Sequence, residues 1–98
     1  MGLDLEDVPG EARKAKAAFE RALAIDEQVY GPVYPNVAIR INNLGGVLRG
    51  LGDNPAAKPA FERALAIREK SIGPEHPLTV TSRENLEELE RIMQNEDR

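Results

Sequence analysis

The sequence predicts an all-α fold of tandem antiparallel helical hairpins, about four helices in all. Three observations predict it. The heptapeptide FERALAI stands at residues 19–25 and again at 61–67. Over the 26 aligned positions from Gly10 to Pro35, 15 are identical in Gly52 to Pro77, at a constant offset of 42. Self-similarity at a fixed period marks a repeat in which each unit buries its apolar side against the next. Within the repeat, Ala57, Ala60, Phe61, Ala64 and Leu65 recur at steps of three and four, with Lys58, Glu62, Arg63, Arg68 and Glu69 between them. That is helical periodicity; strands would need alternation.

The elements follow from the punctuation. Residues 1–10 read as an extension. The first helix runs from about 11 to 30 and stops at Gly31-Pro32. In it Phe19, Ala22 and Ile25 form an inward seam, as Phe61, Ala64 and Ile67 do in the second copy, while Glu20-Arg21 and Glu62-Arg63 face solvent. The second helix, about 36–51, carries Val37, Ile41, Leu44, Val47, Leu48 and Leu51 at helical spacing. Gly52-Asp53-Asn54-Pro55 then offers a cap with proline at the first helical position, where its missing N–H costs nothing. The third helix runs over about 54–72 to Gly73-Pro74, and Pro59 near its start predicts a bend or a loosened first turn. The fourth, about 78–93, carries Leu86, Leu89, Ile92 and Met93, and 94–98 read as a tail.

Composition bounds the function. A chain of 98 residues is at most one domain. The net charge of −4 gives no reason to expect a polyanion, and the four aromatics, Phe19, Phe61, Tyr30 and Tyr34, are too few for a stacking platform, so no nucleic acid is expected. No run of 18 apolar residues exists, so no membrane span is expected. The opening MGLDLEDVPG lacks a basic n-region, and Glu6 stands where a myristoylation signal needs Ser or Thr. The absence of cysteine fits a reducing compartment, and a cytoplasmic location is expected.

The pattern Leu44-Gly45-x-x-Leu48 followed by Ala57-x3-Phe61-x2-Ala64 resembles the tetratricopeptide repeat signature. The 42-residue spacing with NNLG, FERALAIREK and GPEHP resembles the long variant found in kinesin light chains. The resemblance covers residues 11–93. It implies a right-handed superhelix in which the first helix of each hairpin lines a concave groove and the second forms the back. It makes Leu44, Gly45, Leu48, Ala57, Phe61 and Ala64 packing residues. Two departures stand out. Asn54 occupies a position where the family usually has Tyr, and Glu87 and Glu90 replace Gly45 and Leu48 in the last helix, which reads as a solubilising cap and a natural end. The first helix is a back helix without its front partner. Leu3, Leu5 and Val8 folding back, another subunit, or upstream residues of a longer protein are the three candidates to cover it.

What the resemblance implies for binding is a protein or peptide held in the groove. The matching positions are Ile39, Asn42, Asn43, Gly46, Arg49 and Gly50, then Thr81, Glu84, Asn85, Glu88 and Arg91. Asn43 and Asn85 form a matched pair at the repeat offset, and an asparagine amide both donates to and accepts from a peptide backbone. The alternative is that they bond to neighbouring helices and hold the stack. Arg49 and Arg91 are able to pair with a partner's carboxylate, or else serve as solvated surface charges. A second function class is a self-assembling structural unit, a homodimer or an end-to-end stack. Enzyme chemistry has no footing: His76 is the sole histidine, no catalytic constellation and no metal set is evident, and no cofactor is expected.

Overall fold

The computed structural model describes residues 10–96, the side chains of 11 and 12 apart. Four helices follow one another: α1 (Gly10–Tyr30), α2 (Pro35–Gly50), α3 (Asn54–Ser71) and α4 (Pro77–Glu96). Local chemistry sets their ends. Proline is the first residue of α2 and of α4, where no N–H is required. In α3 it comes one place later than expected: Asp53 is the cap, its carboxylate accepting from the Ala56 N–H at 3.3 Å, and Pro55 follows Asn54. The α4 start is capped by His76, whose Nδ1 accepts from the Leu78 N–H at 3.1 Å. Gly52 ends α2 with φ 83, a left-handed conformation that a side chain would strain. Its N–H donates to the Arg49 carbonyl and that of Asp53 to the Leu48 carbonyl, both at 2.9 Å. The matched pair Gly31 and Gly73 end α1 and α3 in the same conformation.

Pro59 does not break α3, which is helical on both sides of it. Its missing N–H deprives only the Pro55 carbonyl, in the first turn, where the Asp53 cap already holds the chain.

Each helix packs against the next, and α2 with α3 share the most extensive contact. The result is a slab 37 × 32 × 15 Å. One cluster joins Val37, Ala38 and Ile41 of α2 to Ala64 and Ile67 of α3. The other joins Leu44 and Leu48 to Ala57, Phe61 and Leu89, and Leu23 of α1 touches both. Phe61 is 2% exposed and lies flat on Gly45: a Cβ added there would stand 2.8 Å from its Cε1. Only glycine lets the ring approach α2 so closely, and burying such a ring stabilises by about 1.5–3 kcal/mol.

Three expectations need correction. Ile25 is not part of an inward seam: it is 60% exposed, whereas its equivalent Ile67 is 3% exposed. Ile67 lies under α2, and no helix among the described residues lies on the corresponding side of α1. The last helix does not stop near 93 but runs to Glu96. Its end is held by Asn54, whose Nδ2 donates to Glu96 Oε1 at 3.1 Å, so an amide link stands where an aromatic was noted as missing. Glu90 does not simply face solvent; it lies 3.7 Å from Lys58 of α3. The expectation that Leu3, Leu5 and Val8 fold back lies outside the described residues, as do the last two residues of the tail.

Candidate functional site

Helical spacing puts Asn42, Asn43, Gly46 and Arg49 on one side of α2, because steps of three and four return to the same side. The structure brings these four, with Val47, together with Asn85 of α4 around a depression of about 370 Å³. Phe19 of α1 and Phe61 of α3 also line it. All four helices therefore contribute. Gly46 keeps the depression open, since a Cβ added there would meet nothing within 4 Å.

The polar chemistry of the lining is one-sided. Three carboxamides and one guanidinium stand in it, with no carboxylate among the described residues that line it, in a chain whose net charge is −4. Asn42 Oδ1 is shut away from solvent and accepts no hydrogen bond from the described residues. A buried acceptor without a donor is costly. Arg49 is exposed and has no acidic partner among the described residues. Other arginines do: Arg40 reaches Asp26 and Arg63 reaches Glu27, both at 2.8 Å, and Arg83 stands 3.8 Å from Glu69. The matched Asn43 and Asn85 line the same depression, on different helices.

The remaining groove candidates do not join it. Ile39, one turn earlier on α2, lines a separate hollow of about 270 Å³ with Asp26, Tyr30, Asn36 and Arg40. Thr81 turns its hydroxyl to its own helix, donating to the Pro77 carbonyl at 3.0 Å. Glu84, Glu88 and Arg91 are exposed along α4 without a polar partner among the described residues, and Gly50 is exposed at the end of α2. Sequence reasoning missed Phe19, Val47 and Phe61 as lining residues. The signal for Phe19 was its equivalence to Phe61; its ring is half-buried, with no helix packed ahead of α1 among the described residues.

Arg68 is buried but belongs to the packing of α3 on α4. Its Nη1 donates to the Leu78 carbonyl at 3.1 Å and to Ser82 Oγ at 2.7 Å, and burial lowers its pKa from the ordinary value. Among the described residues no group of three or more His, Cys, Asp or Glu stands close enough to hold a metal. No helix among them is long and apolar enough to cross a membrane.

Consecutive helices, each packed on the next, with near-copied α1 and α3, define a helical-hairpin repeat protein. The family model of the tetratricopeptide repeat matches residues 10–70 and also residues 38–98. The chain belongs to the tetratricopeptide repeat family, whose repeats generally mediate protein–protein interaction and are non-catalytic. No curated relative matches it.

Proposed function

We propose that this chain is an interaction module that holds an extended peptide segment of a partner protein in the depression between α2 and α4. The observation that carries the reading is the gathering of three carboxamides, Asn42, Asn43 and Asn85, with the exposed Arg49 around one hollow. A peptide backbone presents N–H donors and carbonyl acceptors in alternation, and carboxamides satisfy both whatever the side chains are. Arg49 pairs with a carboxylate on the partner, and Phe19 and Phe61 give apolar contact beneath it. The exposed line Thr81, Glu84, Glu88 and Arg91 extends the contact along α4, and Ile39 extends it along α2. A depression of this size takes little more than one or two side chains, so the affinity of a single chain is weak. The 42-residue period resembles that of kinesin light chains and fits a role in adaptor-like protein binding.

The test uses peptides selected from an unbiased displayed library on the wild-type chain. Asn43→Ala with Asn85→Ala is expected to weaken their binding by about tenfold or more while leaving the helical circular dichroism unchanged. Unchanged affinity in the double variant contradicts the reading.

A second reading, in which another subunit completes the open side of α1, has its own observation: Ile25 and Val29 are 60% and 66% exposed on a helix whose duplicate is covered.

A further inference from the structure

We propose that α1 is a movable wall of the depression: it undocks from α2 and α3 as a unit in the free chain, and a peptide seated in the depression holds it in place, a device that rests on the peptide-binding reading above.

The two outer helices are held differently. On α4, Thr79, Ser82 and Leu89 are fully buried, and Arg68 of α3 ties the helix from inside, donating to Ser82 Oγ at 2.7 Å and to the Leu78 carbonyl at 3.1 Å. Among the described side chains of α1 none is buried. Its apolar hold is Leu23, which touches both clusters, and Phe19, which touches one, and each keeps part of its surface in water. Its polar hold includes two surface pairs, Asp26 with Arg40 and Glu27 with Arg63, each at 2.8 Å. Water replaces such pairs at little cost. The other side of the helix gains nothing from the described residues, since Ile25 and Val29 are 60% and 66% exposed. Every buried apolar side chain among the described residues except Leu89 belongs to α2 or α3. In a stack of helical repeats each element is stabilised by its nearest neighbours, so an end helix with little buried contact opens without the rest.

Opening of α1 changes the site. Phe19 is the contribution of α1 to the depression, whereas Asn42, Asn43 and Arg49 on α2, Phe61 on α3 and Asn85 on α4 remain in place when α1 leaves. Undocking therefore removes one wall and keeps the carboxamides. A peptide that rests on Phe19 binds the docked form more tightly than the undocked form, and by linkage it favours docking by the same factor. The undocked form is a minor population, so it is read in amide exchange rather than in the chemical shifts of α1.

Native-state hydrogen exchange of the full chain at low micromolar concentration, followed on peptic fragments by mass spectrometry, tests the device. In the free chain, fragments of α1 are expected to exchange about tenfold or more faster than those of α2 and α3. Glu27→Gln removes the tie to Arg63 and leaves the lining of the depression intact. It should speed exchange in α1 by a further factor of about three and leave α2 and α3 unchanged. A library-selected peptide at saturation should slow exchange in α1 by about tenfold or more. A free chain in which α1 exchanges no faster than α3 overturns the movable wall. An α1 that opens but is not slowed by a peptide whose binding needs Asn43 and Asn85 overturns the coupling and leaves the groove reading standing. Slowing by a peptide whose affinity is unchanged in Asn43→Ala with Asn85→Ala overturns the groove reading, and the coupling with it.

Discussion

Ile25 and Ile67 occupy the same place in the same heptapeptide, one on α1 and one on α3, yet the first is on the surface and the second is under α2. Phe19 and Phe61 differ likewise: one ring is half-buried at the edge of the depression, the other lies against Gly45. The polar contacts at matched positions change character as well. Asp26 accepts from Arg40 in an exposed pair at 2.8 Å, and 42 residues on the same contact is Arg68 donating to Ser82 in the interior at 2.7 Å. An exposed ion pair contributes about 1 kcal/mol or less. A buried guanidinium bonded to neutral oxygens cannot be removed so cheaply. The comparison teaches that a copied helix inherits its backbone and its periodicity from the sequence, while the energy of each side chain comes from what stands next to it.

Substitutions at matched positions test that lesson. The largest contrast is expected at the two isoleucines. Ile67→Ala should destabilise the fold by about 2–5 kcal/mol, since it leaves a cavity under α2. Ile25→Ala should stay within about 0.5 kcal/mol at dilutions where the chain is monomeric. Urea unfolding followed by circular dichroism measures both, and equal losses would break the comparison. A smaller contrast is expected between the adjacent glycines of α2. Gly45→Ala drives a methyl into the Phe61 ring and should cost about 1–3 kcal/mol. Gly46→Ala meets open space and replaces a mid-helix glycine, so it should stabilise by up to about 1 kcal/mol while crowding the depression and weakening peptide binding.

Much of the fold was legible because the turns were copied with the helices. Glycine and proline at matched positions fixed where α1 and α3 end, and the small and apolar spacing of α2 and α3 fixed which sides meet. The exposure of Ile25 was not legible, since the letters around it are those around Ile67 and only the presence of a neighbouring helix distinguishes them. Thr79 and Ser82 are fully buried, which the polar start of α4 does not signal; Arg68 reaches across to Ser82, whereas Thr79 Oγ1 has no hydrogen-bond partner among the described residues. Beyond Met93 α4 carries no apolar residue and no cap signal, and Asn54 reaching Glu96 from the start of α3 is a tertiary contact that the local sequence does not announce. At the candidate site, spacing placed Asn43 and Asn85 at matched positions. The unfilled acceptor on Asn42 was out of reach, because a side chain's hydrogen-bond partners are a property of the packed molecule.

Two surfaces now compete for partners, the carboxamide depression between the front helices and the open side of α1. Amide chemical-shift mapping of the ¹⁵N-labelled chain, titrated with a library-selected peptide, separates them. The account predicts perturbations that centre on Asn42, Asn43, Gly46, Arg49 and Asn85 and leave the backbone around Ala18, Ile25 and Val29 unmoved. Perturbations centred on that stripe of α1, with the three asparagines silent, would contradict it.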